Sequence, residues 1–140
     1  MSILRSPNSI RPWQHVIEPL FGYLELGLKL NIDPIKYAQA YNFGPNTNDA
    51  LSVEEMVVKS INCWASGTYN VEVNSNNPHE AGLLKLDITK AITDLNWKPV
   101  LNAQTAVELT INWYKNYYNN TTATELMESD IKYYQSKINE

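Results

Sequence analysis

Apolar residues Leu20, Tyr23, Leu24, Gly27 and Leu28 recur at helical spacing, which predicts a helix over about 19–30 with that face toward a core. Glu18-Pro19 opens it, since proline in a first turn forfeits no hydrogen bond and an acidic neighbour suits the dipole, and Asn31 to Pro34 closes it. Before it, residues 3–13 alternate weakly around two prolines, as an extended segment entering a turn does. YAQAYNF (37–43) alternates and is rich in aromatics, so it predicts a short strand stopped by Gly44-Pro45. Ser52 and Glu55 have capping-box spacing, and Val53, Met56, Val57, Ser60, Ile61 and Trp64 follow on one helical face, with Gly67 as a left-handed stop. TYNVEV (68–73) and LLKLDIT (83–89) alternate as strands do. Asp87 caps a short helix with Ala91, Ile92 and Leu95 on its face, and Asn96 ends it because asparagine tolerates positive φ. Asn102 caps a further helix carrying Ala106, Leu109 and Trp113, and after a break at 119–122 the charged tail predicts a last short helix with Ile131 and Tyr134 three apart.

Composition narrows what such a chain can do. With 140 residues, 44% hydrophobic and 19% charged, it is long enough for one core and too apolar for disorder. A net charge of −4 without any Lys/Arg run argues against nucleic acid, whose phosphates demand a clustered basic face. No segment approaches the roughly 18 apolar residues of a membrane span, and the first residues lack a signal peptide's apolar stretch, so a soluble, cytoplasmic protein is expected. The single cysteine, Cys63, excludes an internal disulfide and multi-thiolate metal sites, and His15 and His79 stand too far apart in sequence to suggest zinc, so no metal is expected. Five glycines at 22, 27, 44, 67 and 82 form no dinucleotide fingerprint or phosphate loop.

The strings IRPWQHVIEPLFGYL (10–24), YNFGP (41–45), PHEAGLLKLDITKA (78–91), LNWKP (95–99) and INWYK (111–115) together resemble the C-terminal part of the CDP-glucose 4,6-dehydratases. These are extended short-chain dehydrogenase/reductases acting on sugar nucleotides. The resemblance spans residues 3 to about 117, and RPWQHV sets it apart from the R-D-W-x-x-V form usual in the dTDP-glucose branch. It implies an α/β fold: a C-terminal substrate-binding lobe with helices packed on short strands, the Rossmann half not included. It places that lobe at 1–120 and a helical extension at 121–140. The family chemistry it implies oxidises the sugar at C4 with NAD, eliminates water across C5 and C6, and returns the hydride to C6. The glycine fingerprint, the catalytic Thr/Ser with its Asp-Glu pair and the catalytic Tyr-x-x-x-Lys of that family have no counterpart here, and YQSK (134–137) is a chance match of letters at the wrong end. No catalytic or cofactor-binding residue is therefore expected, with NAD belonging to the full-length family. LNW in place of the usual L-G-W keeps the turn, since asparagine accepts positive φ.

Three residues are candidates for substrate binding. Arg11 offers a planar, permanently charged fork suited to a diphosphate, and the matching arginine in similar enzymes contacts it; otherwise Arg11 pairs with a surface carboxylate. The resemblance places Asn42 near substrate, the other possibility being a turn cap beside Gly44-Pro45, and puts His79, with Glu80, in a loop lining the nucleotide site, the other possibility being a solvated histidine. His15 reads as a packed structural residue, and Trp13, Trp64, Trp97 and Trp113 as core, with Trp13 alone near enough to Arg11 to reach a ligand.

The expected partner is a CDP-sugar nucleotide, bound by a lobe that is inactive alone. One alternative is one half of a split enzyme completed by an N-terminal Rossmann chain. Others are a non-catalytic sugar-nucleotide-binding module, or part of a dTDP- or UDP-sugar dehydratase or decarboxylase. Apolar helix stripes lacking a sheet to cover them predict marginal stability or self-association.

Overall fold

The computed structural model describes residues 2–72 and 82–139. In chain order it contains β1 (Ser2–Leu4), β2 (Ile10–Arg11), α1 (Ile17–Ile32), α2 (Pro34–Tyr37), β3 (Leu51–Ser52), α3 (Val53–Trp64), β4 (Tyr69–Val71), α4 (Thr89–Leu95), α5 (Ala103–Tyr118) and α6 (Ala123–Ile138). Strands among the described residues are short. β1 pairs in parallel with β4, Ser2 opposite Tyr69, and β2 pairs antiparallel with β3, Arg11 opposite Leu51. Leu83 bridges Ile10 in parallel and so lays the 82–84 segment along β2.

Where a boundary depends on adjacent residues alone, the expected element forms. Ser52 and Glu55 close the capping box of α3, each side chain bonding the other's backbone N–H. Asn96 ends α4 at φ 59°, and the Asn102 side chain accepts from Thr105 N–H at the start of α5. α6 is a full 16 residues, because Thr122 and Glu125 form a second capping box.

Other boundaries differ. α1 begins at Ile17, placing Pro19 third rather than first, still within the turn whose N–H groups need no intrahelical partner. Ala65, not Gly67, takes the left-handed position after α3, at φ 65°, while Gly67 follows in the same turn at φ 122°.

Two expected strands are not strands. Residues 34–37 coil into α2, because Pro34 presets the first helical φ and Asp33 accepts from Lys36 N–H. The following residues to 45 run irregularly, and their aromatic alternation serves packing. Phe43 is buried, with its ring edge-on to Trp97 at 4.9 Å, and Tyr41 and Tyr37 pack against the same cluster. In 83–89 only Leu83 makes a ladder contact; Leu86 and Ile88 alternate into the core formed by Phe43, Ala91, Leu95 and Trp97. Alternation records which residues face the core, whereas a strand also needs a neighbouring backbone edge. Val73, the last residue of the expected 68–73 strand, lies outside the described residues.

The face of α1 is also opposite to expectation. Leu20, Tyr23, Leu24 and Leu28 are exposed, and the helix turns Glu18, Phe21, Gly22 and Leu26 inward. α6 packs across α1 and α5, its Tyr134 ring edge-on to Phe21 at 5.4 Å. Of the four tryptophans Trp97 is fully buried; Trp13, Trp64 and Trp113 are half-buried.

Candidate functional site

Arg11 ends β2 at a shallow cleft. Ile10 N–H donates to the Gly82 carbonyl and Leu84 N–H to the Ile10 carbonyl, so the segment after residue 82 forms one wall. Pro45, which ends the YNFGP motif, forms the other with Asn46 and Thr47. Gly44 keeps the walls together: a Cβ there would come within 2.9 Å of the Leu86 side chain. Arg11 and Lys85 both line this cleft. The Arg11 guanidinium donates to the Ile10 carbonyl at 2.8 Å, and Lys85 Nζ donates to the Thr47 carbonyl at 3.1 Å. Two cations on adjoining walls suit an anion with more than one charged oxygen. Lys85 was not legible as a site residue, because an isolated lysine in an alternating run reads as a solvated side chain.

Asn42 is exposed, and its amide donates to the Asp87 carbonyl at 3.2 Å, tying the YNFGP segment to the far end of the 84–87 wall. Asn42 thus braces two of the segments around the cleft without lining it, whereas Arg11 lines it from β2. His79 and Glu80 lie outside the described residues. Trp13 anchors the neighbouring turn through its indole N–H, which donates to the Leu51 carbonyl at 3.0 Å.

A second concavity, about 650 Å³, lies between α1, α5 and α6, with Leu20, Trp113, Tyr114 and Ile131 among its walls and His15 and Asp130 at its edge. His15 is buried; its Nδ1 accepts from Ile17 N–H at 3.4 Å, which puts the proton on Nε2, 3.9 Å from an Asp130 oxygen. Burial lowers the His15 pKa below its ordinary value, and the Asp130 charge opposes this only in part. Asp130 is raised by its own burial, with His15 opposing.

A group whose folded pKa is lowered binds its proton more readily unfolded, so His15 contributes stability that is lost as pH falls through 6.5 toward the lowered value. The carboxylate of Asp130, raised from near 3.8, acts in the opposite sense, its contribution declining as pH rises through the raised value. Between pH 7.5 and 5.5 the melting temperature should therefore fall more steeply in the parent than in His15→Gln. Parallel profiles would show that His15 is not the group responsible.

Among the described residues no three His, Cys, Asp or Glu side chains come together as metal ligands would, and no helix is long and apolar enough to cross a membrane.

No family model matches the chain. It is 40% identical over 113 residues, 81% of its length, to the CDP-glucose 4,6-dehydratase of Salmonella typhimurium, of which it spans only about a third, 32%. Over those 113 residues the chain is similar to a sugar-nucleotide dehydratase. Its fold agrees with that of the UDP-glucuronic acid 4-epimerase of Bacillus cereus, solved with UDP-glucuronic acid and NAD: the TM-score is 0.63 at 18% identity, covering 84% of this chain and 35% of the epimerase. The observed architecture, α/β with few short strands and dominant helices, matches the C-terminal lobe of an extended short-chain dehydrogenase/reductase.

Proposed function

We propose that this chain is the C-terminal, substrate-binding portion of a CDP-glucose 4,6-dehydratase and holds the diphosphate of a CDP-sugar in the Arg11–Lys85 cleft. The observation that carries the reading is that both cations line one cleft, whose walls are built from the strings that resemble the dehydratases. Arg11 binds and orients the phosphates, Asn42 holds the cleft wall at Asp87, and His79 contributes a donor to phosphate or ribose oxygens. The conversion to a 4-keto-6-deoxy sugar requires NAD and proton-transfer groups that these 140 residues do not provide, since they contain no glycine fingerprint to seat a dinucleotide. The pure chain with added NAD and CDP-glucose should form no 4-keto product, and measurable turnover would overturn the reading.

Nucleotide binding is read by calorimetric titration with CDP-glucose and dTDP-glucose. Arg11→Lys should weaken CDP-glucose binding nearly as much as Arg11→Ala, by about 1.5–3 kcal/mol, because a point charge does not replace two parallel donors. His79→Ala should cost less, on the order of 1 kcal/mol, as a single hydrogen bond does. Unchanged affinity in Arg11→Ala would remove the cleft from the site. Equal affinity for both nucleotides would favour another member of the family.

A further inference from the structure

Three segments meet at the Arg11 cleft: β2 with Arg11 itself, the 84–86 wall and the 45–47 wall. The first two are joined through the backbone, Ile10 N–H donating to the Gly82 carbonyl at 2.8 Å and Leu84 N–H to the Ile10 carbonyl at 3.1 Å, bonds that no side-chain change removes. The third is reached by a side chain. Gln14, just beyond Arg11 in the chain, donates through Nε2 to the Phe43 carbonyl at 2.9 Å. Between that carbonyl and Pro45 stands only Gly44, whose backbone lies close against Leu86, so the place of the Phe43 carbonyl sets the place of the wall. The wall in turn places the second cation, because Lys85 Nζ donates to the Thr47 carbonyl.

The other half of the same amide is unanswered. Gln14 Oε1 is buried and accepts no hydrogen bond among the described residues. The hydroxyls that share its concavity between α3 and α5 are committed to their own helices, Ser60 to the Met56 carbonyl and Thr110 to the Ala106 carbonyl, each at 2.8 Å. Met56, Val107 and Ile111 make much of the remaining lining apolar. A made hydrogen bond contributes modestly to stability and a buried unmade one costs a comparable amount, so a half-paired amide holds the fold no better than an apolar side chain of the same length. What the amide adds is direction, since a hydrogen bond fixes where its acceptor sits.

We propose that Gln14 is a positioning residue of the cleft: by holding the Phe43 carbonyl it sets the spacing of Arg11 and Lys85 across which a diphosphate is bound. Gln14 does not line the cleft, so it acts through the two cations. A diphosphate presents its charged oxygens at fixed separations and tolerates little error in that spacing. The proposal rests on reading the cleft as the diphosphate site.

The test is Gln14→Met, which keeps length and volume and removes both halves of the amide. In the 140-residue chain its melting temperature should stay within about 2 °C of the parent. Its affinity for CDP-glucose, titrated calorimetrically, should fall by about tenfold. Hydrogen exchange separates a released wall from a loosened fold. The Asp49 N–H, bonded to the Asn46 carbonyl at 3.0 Å just past the wall, should exchange several times faster, while the Glu72 N–H, bonded to the Leu4 carbonyl at 2.9 Å beside the β1–β4 pair, should exchange as in the parent. A melting temperature lowered by more than about 5 °C would make Gln14 an ordinary structural residue and overturn the proposal. Unchanged Asp49 exchange would overturn it as well. Arg11→Ala, titrated alongside, tells the two readings apart. If Arg11→Ala weakens CDP-glucose binding and Gln14→Met does not, the cleft stands and the positioning role is overturned. If the parent has no affinity for CDP-glucose, or Arg11→Ala binds as the parent does, the diphosphate reading fails and the positioning role fails with it, whatever Gln14→Met does to the wall.

Discussion

Glu18→Ala should lower stability by about 3–5 kcal/mol and leave a chain without a sharp thermal transition at ordinary temperatures. Glu18 is fully buried, and its carboxylate joins three parts of the fold. One oxygen accepts from the N–H groups of Val100 and Leu101 at 2.9 and 2.7 Å, and the other from the Tyr134 hydroxyl at 2.7 Å. Truncation strands three donors in the interior at about 1–3 kcal/mol each, offset in part by removing a buried carboxylate. Glu18→Gln has nearly the same shape and keeps the acceptor for both backbone groups, so it should cost only about 1 kcal/mol. Burial raises the Glu18 pKa above the usual carboxylate range more than its three hydrogen bonds lower it, and burial with Glu18 nearby raises the Tyr134 pKa. The folded state therefore holds the Glu18 proton more tightly than the unfolded state. Its contribution is complete below about pH 4.5 and declines as pH rises through the raised value. Glu18→Gln should flatten that decline. Thermal melts of the three proteins across pH check the account, and a Glu18→Ala melt within about 2 °C of the parent would show that the tie is not essential.

Gly22→Ala is the second large effect expected, a loss of about 2–4 kcal/mol although alanine is the better helix former. Gly22 faces the core from the middle of α1, and an added Cβ would come within 2.5 Å of two ring carbons of Phe43. Phe43 has little room to retreat, since its ring is edge-on to Trp97 on one side and to Tyr23, at 5.5 Å, on another. Gly27→Ala, on the opposite side of the same helix, should instead stabilise the chain by up to about 1 kcal/mol, because a Cβ there meets nothing and glycine's backbone freedom is removed. Urea denaturation of the two variants separates the cases. If both moved in the same direction by similar amounts, helix propensity rather than packing would govern α1.

Tyr134 shows how a local pattern can mislead. YQSK has the letters of a catalytic motif, but the Tyr134 hydroxyl is committed to Glu18 and its ring packs on Phe21. Neither Glu18 nor Tyr134 was legible as half of a buried tie, since 116 residues separate them. Glu18 read naturally as an acidic group favouring a helix start, a role it keeps while also reaching Val100 and Leu101. The Arg11 cleft was legible only on one wall. Arg11 announced itself by its chemistry, whereas Lys85 became a candidate only once the Ile10–Leu83 bridge brought its segment alongside β2.

The helix starts at Ser52, Asn102 and Thr122 and the left-handed stop at Asn96 were determined by the sequence itself, because a cap or a turn is completed by groups within four residues. The family motifs were legible for a similar reason, being short and in order along the chain. Tertiary structure decided the remainder. Residues 37–43 and 83–89 alternate as strands do, but forming a strand depends on a distant edge, and the described residues supply only the bridge at Leu83. α1 is apolar on one side and holds Glu18 and Gly22 on the other, so periodicity alone points the leucines inward. The packing reverses this, because the glycine admits the Phe43 ring and the carboxylate meets three donors there, while nothing within the described chain covers the leucines.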